Sequence, residues 1–371
     1  MKKLGFGFMR LPLIDSSDAT SVDMNQLFKM VDIFMEKGFT YFDTAYVYHK
    51  EQSEIYLKKA LVERYPRDKF TIATKLPLPK VNSIDDNQKI FNEELEKCGV
   101  EYFDYYLLHA MNRERFEKAK KFKSFEFIKE MKSQGKIKHI GFSFHDDVKL
   151  LEEMLIEWPE TEFVQLQINY LDWENPSIQA KECYEMATKY NKPVIVMEPI
   201  KGGSLVDIPQ EAQKLMKDYA PEASIPSWAI RYAATPDNVM MVLSGMSNIS
   251  QVEDNTSYME NFVPMKDEEY HIIDKVVSII NSSIAIPCTA CQYCVDGCPK
   301  HIPIPKYFAL YNAELQALNK GFSTQKTYYD NMVASMAKAS RCIECGQCER
   351  ACPQHISIID GLKKVAETFE K

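Results

Sequence analysis

Two kinds of apolar spacing alternate along the first ~260 residues. Short runs rich in Val, Ile, Phe and Tyr predict strands at 4–11, 40–45, 70–75, 103–109, 139–144, 163–169, 194–199 and 239–245. Between them, apolar residues recur three and four apart and predict helices, among them 24–37, 53–63, 85–97, 116–134, 148–156 and 178–190. Phe91, Leu95 and Cys98 illustrate the spacing. Strands alternating with helices argue for parallel βαβ units. Eight such units in about 260 residues match the size of a (β/α)8 TIM barrel. The rival, a doubly wound sheet, would carry a Gly-rich phosphate loop after its first strand. Neither G-x-G-x-x-G nor G-x-x-x-x-G-K-[ST] occurs.

The pattern then changes. Residues 267–283 predict one more helix. The stretch 304–338 also reads as helical, because Tyr307, Leu310, Tyr311, Leu315 and Leu318 recur at three- to four-residue spacing. The predicted organisation is a barrel over 1–265, a linking helix over 266–285 and a small α-helical domain over 286–371. No low-complexity linker separates them, so they are expected to pack together.

Composition narrows the class. Apolar residues are 45% and charged residues 26% of the 371, ordinary for a globular chain. The net charge of −8 argues against a nucleic-acid or anionic-membrane binder. No run approaches the ~20 apolar residues of a membrane span. The start, Met1-Lys2-Lys3-Leu4-Gly5-Phe6-Gly7, lacks a secretory apolar region. The expected location is the cytoplasm, where structural disulfides are rare. Ten cysteines are therefore unexpected, and eight of them lie beyond residue 287.

Those eight form two identical motifs, Cys288-x2-Cys291-x2-Cys294-x3-Cys298-Pro299 and Cys342-x2-Cys345-x2-Cys348-x3-Cys352-Pro353. Three thiolates three residues apart can curl around one iron–sulfur cubane, while the fourth reaches away. In two-cluster ferredoxins of this spacing the fourth cysteine ligates the other cluster. The expected quartets for two [4Fe–4S] clusters are Cys288, Cys291, Cys294 with Cys352, and Cys342, Cys345, Cys348 with Cys298. Zinc sites use paired C-x2-C units and four ligands, which fits eight cysteines poorly. The segment resembles bacterial dicluster ferredoxins, in particular the α-helical ferredoxin-like variant. Cys98 and Cys183 sit in helical patterns and read as small core residues.

Candidate chemistry in the barrel gathers at strand ends, where barrel enzymes place their active sites. Asp43 and Tyr48 follow the second strand, Lys75 ends the third and His109 the fourth. A lysine near a tyrosine favours phenolate and would lower the tyrosine's pKa. Such a tyrosine could donate a proton to a carbonyl. Asp43 could hold Lys75 charged, and a neutral His109 could hydrogen-bond a developing alkoxide.

On these residues the chain resembles the aldo-keto reductases. Phe42-Asp43-Thr44-Ala45 with Tyr48, then Lys75, then Leu107-Leu108-His109 resemble that family's catalytic tetrad. The resemblance implies Tyr48 as general acid, Lys75 and Asp43 as its tuners, and His109 as substrate orienter. It further implies that Ser143 and Gln165 bind the nicotinamide amide. Ser244, Gly245, Ser247, Gln251, Asp254 and Asn255 would then hold the adenosine end. Met197 stands where the family has an aromatic stacking residue, and Phe144 where an Asn often follows the serine. Gly245 and Gln251 occupy positions that commonly supply cations for a 2′-phosphate, so NAD(H) is favoured over NADP(H), although Lys201 could serve a phosphate. With the cysteines, the whole chain resembles the bacterial subfamily carrying a C-terminal ferredoxin-like domain.

The expected activity is reduction of an aldehyde or ketone by hydride from a nicotinamide cofactor, on a small carbonyl or alcohol substrate. A second reading is an electron-transfer protein, coupling a ferredoxin or flavodoxin to a substrate or flavin in the barrel. A third is a binding module with a vestigial tetrad.

Overall fold

Strand parity explains the barrel. The computed structural model describes residues 2–176, 178–282, 285–286, 288, 292–315, 322–352 and 356–371. Eight parallel strands close in sequence order: β1 (Leu4–Gly7), β2 (Tyr41–Asp43), β3 (Thr71–Leu76), β4 (Phe103–Met111), β5 (Ile137–Phe144), β6 (Phe163–Gln167), β7 (Val194–Met197) and β8 (Val239–Ser244). All eight lie where the apolar runs predict them, and the (β/α)8 barrel is the fold observed. β1 is shorter than expected, since the chain leaves the sheet after Gly7.

Alternate residues of each strand point inward. Tyr41, Ala73, Leu107, Phe163, Ile195, Met241 and Leu243 fill the barrel as one buried cluster. Gly141 completes that layer: a Cβ there would meet the Phe163 carbonyl oxygen at 2.4 Å. Residues of opposite parity, such as Phe42, Ile72 and Leu108, face the surrounding helices in the larger outer core.

Three helical stretches differ from expectation. The segment 116–134 is two helices, Arg113–Lys121 and Ser124–Ser133, because Lys123 takes a left-handed φ of 54° that ends one helix and starts the next. The segment 53–63 is an α-helix, Ser53–Leu57, continued by a π-helical turn, Lys58–Val62. Among the described residues the insert 304–338 holds two helices, Ile304–Leu315 and Thr324–Val333, with Leu318 outside those residues.

Helix Asp267–Ser282 buries Ile273, Val276 and Ile280 against Trp228 and Met216 of the barrel's outer helices. Arg231 grips Glu269 with two hydrogen bonds, 2.7 and 3.0 Å. Asn312 then fixes the chain ahead of the first cysteine motif, accepting from Ile286 N at 3.0 Å and donating to Ile286 O at 2.8 Å. The C-terminal core of Tyr307, Phe308, Tyr329, Leu362 and Val365 also takes in Ile178 and Ala180, after β6. The two parts therefore share buried surface. Among the described residues no helix is long and apolar enough to cross a membrane.

A buried acid pair lies outside the strands. Thr74 donates to Glu54 Oε1 at 2.7 Å, and Tyr106 donates to Glu94 Oε2. Glu54 Oε2 and Glu94 Oε1 are buried without a partner. Burial pushes the Glu54 carboxyl up to about 7. The folded chain thus holds a proton there that the unfolded chain releases near its ordinary value. Stability from this group is present at low pH and is lost between about pH 4.5 and 7, by about 3 kcal/mol. Glu54→Gln keeps the oxygen that Thr74 needs. Anaerobic urea unfolding across this window should show the variant gaining stability relative to the parent as pH rises; parallel profiles would refute the assignment.

Candidate active site and cluster sites

The inward parity of the core layer carries up to the C-terminal mouth. Asp43, Lys75 and His109 each stand two residues beyond an interior core residue: Tyr41, Ala73 and Leu107. They therefore point into the barrel at its open end, on adjacent strands. Lys75 is fully buried and donates to Asp43 Oδ1 and Thr44 O, both at 2.6 Å. Burial opposes its charge, but Asp43 and Tyr48 outweigh that and hold the ammonium above its ordinary pKa. The Lys75 nitrogen stands 5.1 Å from the centre of the Tyr48 ring. Tyr48 meets His109 edge to face, ring centres 5.8 Å apart.

Two protonation states follow. Burial, with Lys75, Arg115 and His145 nearby, drives the His109 pKa well below its ordinary value, so the ring is neutral. The Tyr48 phenol is pushed up by burial, which exceeds the opposing pull of Lys75. That corrects the expectation of a lowered value: the lysine's charge is already shared with Asp43, and desolvation dominates.

The loop after Tyr48 is strained. His49, Lys50 and Glu51 all take left-handed φ of 49–69°, costly for non-glycine residues. It is tied down by His49 Nδ1 on Ala19 O at 2.6 Å, by Ser53 donating to Phe8 O at 3.0 Å and by a Thr44–Ser53 hydroxyl contact at 2.8 Å.

The same parity brings Ser143, Gln165 and Met197 to the opposite side of the mouth. Ser143 pairs with Gln165 across β5 and β6. Ser143 Oγ accepts from Ala110 N at 2.7 Å. Gln165 donates to Met197 Sδ at 3.6 Å, a weak contact, and its Oε1 is buried without a partner. Beyond β8, Ser247 donates through its hydroxyl to Arg10 O and through its N–H to the Gln251 side-chain oxygen. Ser244 and Asn255 are buried and bonded to each other at 2.8 Å, and Asp254 accepts from Ser224 at 2.7 Å. Gly245 lies against Arg10, whose Cβ would be 3.2 Å from a Cβ there. Lys201, the other candidate for a phosphate, is buried and paired with Asp172.

In the C-terminal part, Cys298, Cys342, Cys345 and Cys348 line one cavity with Ile302, Ile304 and Leu362. This is one of the two expected quartets. Cys294 is buried in the adjoining core, with Cys288 and Cys352 packed against it; Cys291 lies outside the described residues. The two motifs share a backbone turn. Gln292 and Gly346, each following the second cysteine, are left-handed (φ 70° and 72°) and start the short helices Tyr293–Asp296 and Gln347–Ala351. Cys98 and Cys183 are buried core residues.

The profile described as "Aldo/keto reductase family" matches residues 3–278. The chain belongs to the aldo/keto reductase family. A second profile, "4Fe-4S dicluster domain", matches residues 287–357. "Probable aldo-keto reductase 1" of Glycine max is 31% identical over 152 residues, 38% of this chain and 41% of that protein. The aligned part of this aldo/keto reductase thus spans about two fifths of the soybean relative's length. Among solved structures, the holo form of aldo-keto reductase AKR11C1 from Bacillus halodurans is similar at TM-score 0.59 and 23% identity, over 74% of this chain and 91% of that one. An aldo-keto reductase from Klebsiella pneumoniae in complex with NADPH is similar at TM-score 0.60 and 16% identity, over 74% and 90%.

Several residues of this aldo/keto reductase's mouth escape sequence reasoning. Arg10 lies in an irregular loop after β1 and reaches Glu198 (4.0 Å), just beyond β7, across the end of β8. Asp172 collects Gln167, Asn169 and Lys201 into one buried network. His145 and Asn112 become visible only through their partners in the C-terminal part.

Proposed function

We propose that this chain is a nicotinamide-dependent carbonyl reductase that also carries two [4Fe–4S] clusters. The observation that carries the reading is the buried Lys75–Asp43 pair at the barrel mouth, with Tyr48 and a neutral His109 beside it. The residues on the facing side suit the cofactor. Gln165 Oε1, buried and unpartnered, matches the N–H of a carboxamide, and Ser143 stands beside it. Bound there, the nicotinamide would supply hydride to the carbonyl carbon.

The chain's own residues would handle the proton. His109 donates a hydrogen bond to the carbonyl oxygen and orients it. Tyr48 gives its phenolic proton to that oxygen as negative charge develops there. Lys75, kept charged by Asp43, stabilises the phenolate left behind. The raised Tyr48 pKa keeps the proton in place until a substrate needs it.

For the clusters, the cavity lined by Cys298 and Cys342, Cys345 and Cys348 supports one site of thiolate donors, and the repeated motif supports a second. Cys345 is exposed, which suits electron exchange with a ferredoxin- or flavodoxin-like partner. That observation favours a second reading, in which the clusters pass electrons to the barrel site. Stopped-flow mixing of anaerobic holoprotein with NADH separates the two. Cluster bleaching supports coupling, while carbonyl turnover with unbleached clusters supports a separate reductase.

NADH should bind more tightly than NADPH. Gly245 and Gln251 offer no charge for a 2′-phosphate, and the Arg10 guanidinium faces Glu198. Dissociation constants from fluorescence titration test this, and equal or tighter NADPH binding would sink it.

A further inference from the structure

His109 sits on an irregular piece of strand. β4 loses register with β5 between Leu108 and Met111, and Ala110 takes a left-handed φ of 52°. Such a conformation at a β-carbon-bearing residue costs of order 1 kcal/mol or more and persists only where neighbours hold it. Three contacts do so. Ala110 N donates to Ser143 Oγ at 2.7 Å. Arg115 donates to Ala110 O at 2.7 Å. Asn112, which caps the helix Arg113–Lys121 by accepting from Arg115 N at 2.8 Å, donates through Nδ2 to Asn331 Oδ1 at 2.6 Å.

The third contact crosses between the two parts of the chain. Asn331 lies on helix Thr324–Val333, between the two cysteine motifs. Its amide also donates to His145 O at 3.0 Å, and His145 N in turn donates to Met111 O at 3.0 Å. Three residues earlier on the same helix, Tyr328 is buried and packs edge to face on the His145 ring, centres 5.6 Å apart. One side chain therefore bridges the ends of β4 and β5, and it belongs to the cluster-bearing part. The Asn112 side that receives it is buried.

We propose that Asn331 is a positioning residue for His109: docking of the cluster-bearing part sets the geometry of the strand end that presents the tetrad histidine. This rests on the tetrad reading above. It links the cluster-bearing part to the barrel mouth through contacts that need no electron transfer.

The test compares anaerobic holoprotein with Asn331→Ala and with Asp330→Ala. Asp330 is one residue away, exposed, and pairs only with Lys326 on its own helix among the described contacts. With NADH and 4-nitrobenzaldehyde as probes, Asn331→Ala should lower kcat about tenfold, the scale expected of slight misplacement of a catalytic group. The NADH dissociation constant should stay within about twofold, and Asp330→Ala should match the parent. In 15N-histidine-labelled holoprotein, the ring signals of His109, assigned by their loss in His109→Gln, should shift in Asn331→Ala while those of exposed His271 do not. Unchanged kcat together with unchanged His109 signals overturns the proposal. If the parent shows no carbonyl turnover, the tetrad reading fails and the His109 signals alone decide whether Asn331 positions the ring.

Discussion

Replacing Tyr48 by Phe should lower carbonyl turnover by about 10²–10⁴-fold, the range of a lost general acid. The substitution removes only the hydroxyl. The ring that meets His109 and lies 5.1 Å from the Lys75 nitrogen remains. Nucleotide binding should be unchanged within about twofold, because Ser143 and Gln165 stand on β5 and β6, on the facing side of the mouth. Steady-state rates beside fluorescence titration of NADH measure both quantities, and turnover retained above a tenth of the parent refutes the role. Lys75→Met would be a poorer probe. It leaves Asp43 buried and unpaired, a change that destabilises the fold whatever the chemistry. The pH profile gives a second readout. With the phenol pushed up and His109 held neutral, kcat for reduction should stay level from about pH 6 to 9. An ordinary histidine in an essential neutral role would instead give a fall on the acid side.

The second large effect concerns cluster content. Interleaved quartets place Cys298 with Cys342, Cys345 and Cys348, the four that line one cavity. Cys298→Ser should therefore cut iron from about eight to about four per chain. Pairs of substitutions separate this from sequential quartets. Cys298→Ser with Cys345→Ser removes two ligands of one cluster and should keep about four iron atoms. Cys298→Ser with Cys288→Ser strikes both clusters and should leave almost none. Sequential ligation predicts the reverse, so iron and labile-sulfide counts on anaerobically purified protein decide it.

The two sites differ in how they could be read. The placement of the residues proposed as a tetrad was legible because strand parity is local: a side chain two residues beyond an inward core residue also points inward. Asp43, Lys75 and His109 each follow that rule. Tyr48 is less determined, since its loop depends on three successive left-handed residues held by His49 and Ser53. The fate of Lys201 was not legible. By sequence it could serve a phosphate, and only the folded chain shows it buried against Asp172.

What the chain determines by itself is periodic or motif-like: eight strands, the helices between them, the inward residues at the mouth and two cysteine motifs of one spacing. Each depends on residues within a few positions of one another, where backbone geometry dictates direction. The tertiary structure alone decided the break at Lys123, the direction of the Tyr48 pKa shift, the seat of Arg10 beside Gly245 and the bridge from Asn331 to Asn112 and His145. Those depend on desolvation and on partners far apart in sequence, as much as 219 residues for Asn112 and Asn331. No local pattern records such a contact, because it exists only once the barrel has closed and the C-terminal part has packed on its rim.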